Sequence, residues 1–95
     1  MMQNWDKLEH DFGSVPSKIK LNTSFSYLST RKIKDIKSSC NCVSTRFRNG
    51  ILTVDWEFKN KKEGYQSHKY VTITYEDRTF DVLTLTAFIN GQARS

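Results

Sequence analysis

Three observations predict an all-β chain folded as an antiparallel sandwich. Apolar and polar residues alternate at every second position over several stretches, an Asn-Gly pair interrupts that alternation, and no stretch keeps a helical period. The clearest stretch is Ile51 to Phe58, where Leu52, Val54, Trp56 and Phe58 alternate with Thr53, Asp55, Glu57 and Lys59. A strand with this pattern has one dry face and one wet face. Asn49-Gly50 precedes it directly, and this pair favours the tight turn of a two-residue hairpin. Cys42 to Arg48 supplies the partner strand, so a hairpin carrying Trp56 on its dry side forms the centre of the chain.

The remaining elements follow in order. Leu8 to Val15 reads as a first edge strand, stopped by Pro16, and an edge is where a sheet tolerates proline. Ser17 to Leu28 alternates again, with Ile19, Leu21, Thr23, Phe25 and Tyr27 on one face. In Lys32 to Ser39 the three-residue spacing of Ile33 and Ile36 breaks the alternation, and a bulge near Lys34-Asp35 restores both to the core side. Lys59 to Gly64 is a charged loop. Tyr65 to Tyr75 turns Val71, Ile73 and Tyr75 inward, with Thr72 and Thr74 outward. Thr79 to Ile89 is apolar on both registers, with Phe80, Val82 and Phe88 on one and Leu83, Leu85, Ala87 and Ile89 on the other. Such a strand is buried on both faces, re-phased by a bulge, or apolar towards a partner. About seven strands separated by turns, in a chain of 95 residues, define an immunoglobulin-like sandwich. The expected organisation is an N-terminal arm over 1–7, a sandwich over 8–89 and a polar tail over 90–95.

The charge is uneven. The net value is +5, and residues 31–62 alone carry nine Lys and Arg against three acidic residues. Arg46, Arg48, Lys59, Lys61 and Lys62 flank the Trp56 strand, and basic residues beside aromatics suit single-stranded nucleic acid. Trp56 lies on the inward register, however, where it is core rather than a stacking platform. A solvated face is the simpler reading of the charge. The N-terminus has neither a basic region nor an apolar run of the secretory kind, and no apolar run approaches the ~20 residues that span a bilayer. The expected location is the cytoplasm at synthesis, or a virion assembled there.

Paired carboxylates, a Ser-His-Asp set and a phosphate loop are all missing, so the chain reads as non-enzymatic with no cofactor. Asp11-Phe12-Gly13 matches three letters of a kinase motif but lacks the accompanying loops. Cys40 and Cys42, placed two apart on a strand, would have Cα atoms roughly 6.6 Å apart, too far for a bond between them. Reduced thiols packed in the sheet are therefore expected. Zinc would need His10 and His68 as well, and no metal site is assigned. Asn22-Thr23-Ser24 is a glycosylation acceptor by pattern, unused without export.

His10-Asp11-Phe12-Gly13, the segment Ile36-x-Ser38-Ser39-Cys40-x-Cys42, the charged loop ending at Gly64 and the closing Leu83-x-Leu85 share an order and spacing. Together they resemble a bacterial domain family of unknown function with a His-Asp-Phe-Gly opening and a Ser-Cys-Gly-Cys signature. That family looks like the abnormal-spindle/Hydin class of immunoglobulin-like domains. The resemblance covers roughly residues 8–89, with Asn41 where the family has glycine and without its common export signal. It implies a binding or structural role rather than a reaction.

The functional expectation is a module docking onto other protein subunits of a larger assembly, such as an accessory or decoration protein of a phage virion. Trp5, Phe80, Val82 and Phe88 are the expected contacts. Trp5 is included because an indole on a mobile arm needs a cover, either the open end of the sandwich or a neighbouring subunit. The alternative is a basic adaptor for nucleic acid. Neither a membrane nor a small-molecule substrate is expected.

Overall fold

The structure is a computed structural model that describes residues 3–16, 20–57 and 65–89. Among the described residues, seven strands follow one another in sequence. They are β1 (Glu9–Val15), β2 (Lys20–Ser26), β3 (Ile33–Ser38), β4 (Val43–Arg48), β5 (Ile51–Glu57), β6 (Tyr65–Tyr75) and β7 (Phe80–Ile89). They form a four-stranded sheet in the order β1-β7-β6-β3 and a three-stranded sheet in the order β2-β5-β4. The second, fifth and fourth strands thus lie opposite the third, sixth and seventh, the division an immunoglobulin sandwich makes. Here the first strand sits beside the seventh, and that pair is parallel. The sandwich is therefore not wholly antiparallel. A parallel pair needs a long crossover, and nearly the whole chain runs between β1 and β7.

Local chemistry explains the β4–β5 turn and the two register shifts. In the β4–β5 hairpin, Asn49 and Gly50 both have positive φ, 53° and 78°. That is the left-handed pair a two-residue turn requires. The β3–β6 register shifts between Ile33 and Asp35, which is the bulge expected there, and Ile33 and Ile36 both pack against the core. In β1 the register against β7 shifts between Asp11 and Ser14. Gly13 sits in that shift with φ +76°, and its N–H donates to Asp11 Oδ1 at 2.8 Å. Phe12 meets the Trp56 ring edge-on at 6.0 Å, and His10 meets Phe12 at 4.6 Å. Each residue of the His-Asp-Phe-Gly stretch therefore has a structural task in shaping or packing the edge strand.

One dry layer lies between the sheets. Phe25, Val43, Leu52, Val54 and Trp56 enter it from one side, and Val15, Val71, Ile73, Tyr75, Leu83, Leu85, Ala87 and Ile89 from the other. Trp56 is 0% exposed, as its register requires.

Trp5 belongs to the same layer, also at 0% exposure, so residues 3–7 are no free arm. Trp5 forms an antiparallel bridge with Tyr27, Asp6 N–H donates to Ser26 O at 2.9 Å, and Leu28 N–H donates to Asn4 O at 2.7 Å. The arm thus extends the three-stranded sheet past the end of β2. The indole Nε1 donates to Tyr75 Oη at 2.8 Å, and Tyr75 Oη donates to Asp81 Oδ2 at 2.7 Å. Asn4 Nδ2 donates to the same carboxylate oxygen at 2.9 Å. Large aromatics bury much apolar area, and a buried N–H must find an acceptor; Trp5 satisfies both conditions at once.

Trp5→Ala should cost roughly 3–5 kcal/mol, comparable to Trp56→Ala. Tyr75→Phe, which leaves the indole N–H unsatisfied, should cost about 1–3 kcal/mol. Urea unfolding measures both, and a Trp5→Ala midpoint equal to that of the wild type would place the indole outside the core.

Candidate functional site

The inner register of β7 is filled, which leaves its outer register to face away from the core. Phe80, Val82 and Phe88 point outward there with exposures of 63%, 38% and 38%, and Tyr70 of β6 joins them at 44%. The β6–β7 ladder sets their neighbours. Thr74 stands beside Phe80, Thr72 beside Val82, Tyr70 beside Thr84, and Gln66 beside Phe88. Phe80 and Phe88 lie eight residues apart, roughly 27 Å along a strand, with Tyr70 between them. The result is a line of apolar side chains set among threonines. Glu9 and Asp11 of β1 flank it on one side, and Asp35 and Lys37 of β3 on the other. β7 is therefore neither buried on both faces nor re-phased against β6: its ladder runs unshifted and its outer register stays apolar and exposed.

The other expected positions do not gather on this face. Trp5, expected as a contact, is covered by the chain itself and contributes packing instead. Its neighbours in sequence are polar and do not alternate, so no period signals its burial. Arg46 and Arg48 are exposed on β4, in the opposite sheet, beside Thr53 and Ile51 of β5. Asp55 and Glu57 share the outward register of β5, so cations and anions mix on that face. Lys59, Lys61 and Lys62 lie outside the described residues. Leu28, also exposed, borders an open groove of about 330 Å³ with Asn4 and Arg31.

The cysteines depart from the reduced pair expected for them. Residues 39–42 form a turn between β3 and β4 rather than a strand, which brings the Cα atoms of Cys40 and Cys42 to 5.1 Å, and the two sulfurs are bonded. An extended Cys-x-Cys cannot bond to itself, but a turn can. Val43 N–H donates to Cys40 O at 3.1 Å and closes the turn, and Ser38 Oγ donates to Cys40 O and Val43 O. Cys42 N–H donates to Cys40 Sγ at 3.1 Å. In the chain-entropy picture a loop this small contributes about 1.5 kcal/mol, roughly half the effect of a 15-residue loop. Among the described residues, no three His, Cys, Asp or Glu side chains gather as a metal site.

Several charges and hydroxyls have defined partners. Arg31 pairs with Asp77 at 3.0 Å and also donates to Thr79 Oγ1 at 2.8 Å. Hydrogen bonds from the Thr79 side chain and backbone hold the Asp77 carboxyl below its usual range; desolvation opposes them, and the Arg31 charge adds a smaller lowering. Burial, then the hydrogen bond to Asp81, pushes the Tyr75 phenol well above its usual value. Burial and the nearby Lys7 ammonium lower the His10 imidazole below 6.5, against an opposing effect of Asp11. Lys7 Nζ lies 3.0 Å from His10 Nδ1. Thr86 Oγ1 and His68 Nδ1 are 3.4 Å apart, long for proton transfer, and Thr86 is only 6% exposed.

Among the described residues, no helix is long and apolar enough to cross a membrane. Searches of family models, curated proteins and solved structures find no match to the chain. The class defined by fold and surface is thus a small two-sheet β-sandwich with an apolar line on its outer face.

Because folding lowers the His10 value, protonation favours the unfolded chain. The contribution of His10 is complete above about pH 6.5 and is lost as pH falls through the lower folded value. Stability should therefore decline as pH falls below about 6.5, and His10→Gln should flatten that slope. An NMR titration placing the His10 ring at or above 6.5 would contradict this sign.

Proposed function

We propose that the chain is a non-enzymatic, immunoglobulin-like module that docks onto a larger protein assembly through the outer face of β7 and β6. The observation that carries this reading is the outward line of Phe80, Val82, Tyr70 and Phe88, on a sheet whose inner face is already filled. Nothing in the packing of the sandwich requires aromatics there. Two Phe and a Tyr on a rigid sheet suit an interface, since little conformational freedom is lost when they are covered. The matching partner surface is an apolar groove with basic groups on the side that meets Glu9 and Asp11. In its narrower form the assembly is a phage virion, with the chain an accessory protein of capsid, neck or tail. Analogy with other small sandwich modules supports that setting.

The nucleic-acid alternative draws on the charge excess in residues 31–62. Arg46 and Arg48 lie on the sheet opposite the apolar line and share their side with acidic residues, which favours the docking reading.

Sedimentation of a lysate from the native source provides the test. The wild-type chain should travel with a large particle, and salt should barely change this. The variant Phe80→Ser/Val82→Ser/Phe88→Ser should stay at the top of the gradient. Its stability should fall by no more than about 0.5 kcal/mol per site, because these positions are exposed. Co-sedimentation of the folded variant would overturn the reading. Loss of the wild-type complex on nuclease treatment, with a steep salt dependence, would replace it by the nucleic-acid alternative.

A further inference from the structure

We propose that the Cys40–Cys42 disulfide is an exchangeable redox site, which takes two electrons from thiols and returns them, rather than a staple of the fold. Three observations converge on this. The bond spans two positions in sequence, so it restricts the unfolded chain only about half as much as the bridge of a 15-residue loop would. The turn that carries it is already held by other groups. Val43 N–H and Ser38 Oγ bond to Cys40 O, Glu57 N–H bonds to Cys42 O at 3.0 Å, and Ser39 exchanges two bonds with Tyr70. Opening the sulfur bridge leaves all of these in place. Both cysteines are only half-buried, at a corner where the chain crosses between sheets, and Asn41 between them is exposed. Both side chains also pack against the core, so exchange runs through the part of each that this corner leaves uncovered.

The geometry also distinguishes the two sulfurs. Cys42 N–H points at Cys40 Sγ from 3.1 Å. A hydrogen bond to sulfur strengthens when the sulfur becomes anionic, so Cys40 is the better leaving group and the more acidic thiol. An external thiolate therefore attacks Cys42 Sγ. Its sulfur bonds to Cys42 while the Cys40–Cys42 bond breaks, and the bonding pair leaves on Cys40 Sγ. A second external thiolate then attacks the external sulfur of this mixed disulfide. That step releases Cys42 as a thiolate and yields the disulfide of the external thiol. The two cysteine thiolates take up the two protons that the external thiols gave up. Two external thiols are oxidised and one protein disulfide is reduced, and the reverse sequence restores it. The co-reactant is a thiol, from a small molecule or from a protein dithiol.

The test uses the full chain in buffers of reduced and oxidised glutathione, and separately with a reduced thioredoxin-type protein. Trapping with iodoacetamide and weighing the intact chain counts free thiols. The chain should pass reversibly between none and two labelled cysteines without denaturant. Amide NMR signals should move only near residues 38–43 and their neighbours in β5 and β6. Faster exchange with the dithiol protein identifies a protein source, and faster exchange with glutathione a small-molecule source. Two single variants read the asymmetry. Cys40 in Cys42→Ala keeps the backbone N–H and should alkylate several-fold faster at neutral pH than Cys42 in Cys40→Ala. A bridge that opens only when the chain is unfolded would overturn the proposal. So would two free thiols under every oxidant, or equal reactivity of the two cysteines. Apart from the Tyr70 amide these readouts do not touch the apolar face, and thiol counts and alkylation rates do not depend on docking, so this inference stands or falls independently of that reading.

Discussion

Register is the constraint on which this molecule depends, because each strand gives the core only every second residue. The β6–β7 ladder pairs Val71 with Leu83 and Ile73 with Asp81, and runs without a shift from Tyr65 and Ile89 to Thr74 and Phe80. A slip of one residue would turn Leu83, Leu85, Ala87 and Ile89 to solvent and bring Phe80, Val82 and Thr84 inside. The same ladder thus decides what is buried and what is shown. The outer apolar line follows from the alternation that fills the core, and it can change composition without disturbing the layer beneath.

Asp81 is the exception within that alternation, and its surroundings show how a carboxylate is accommodated on the inward register. Tyr75 Oη and Asn4 Nδ2 both donate to its Oδ2, and Trp5 donates onward to the phenol. A charge facing a dry layer needs such donors, since an unpaired one costs several kcal/mol, on the order of the whole stability of a small domain. The relay ties the start of the chain to β6 and β7, which are distant in sequence. It also explains why an apparently free N-terminal segment is fixed. Its tryptophan completes both the apolar end of the layer and the polar chain behind it.

Much of the fold was legible because it rests on two-residue periodicity. Trp56, the Asn49-Gly50 turn and the bulge beside Asp35 all carry local signals, and the structure has each of them. The parallel pairing of β1 with β7 leaves no such trace, since an edge strand of either direction reads alike. Trp5 was misread for a related reason. Its burial depends on Tyr27, Phe47 and Tyr75, partners 22 to 70 residues away, and a lone indole among polar neighbours has no period. The cysteines were misread through one local assumption, that residues 40–42 are extended. Residues 39–42 instead turn between β3 and β4, which starts at Val43, and this reverses the conclusion about bonding.

The corner that carries the cysteines and the face that carries the aromatics meet at Tyr70. Its backbone exchanges two hydrogen bonds with Ser39, one residue before Cys40, while its ring stands in the outer line between Val82 and Phe88. Ser39 is therefore held by β6 on one side, while Glu57 of β5 holds Cys42 on the other. A change confined to the sulfurs is caught between two anchored strands, one in each sheet. Such an arrangement keeps the redox state of the turn from altering the register. It also limits any effect on the apolar face to the immediate neighbourhood of Tyr70, because the rest of that face is fixed by the uninterrupted ladder of β6 and β7.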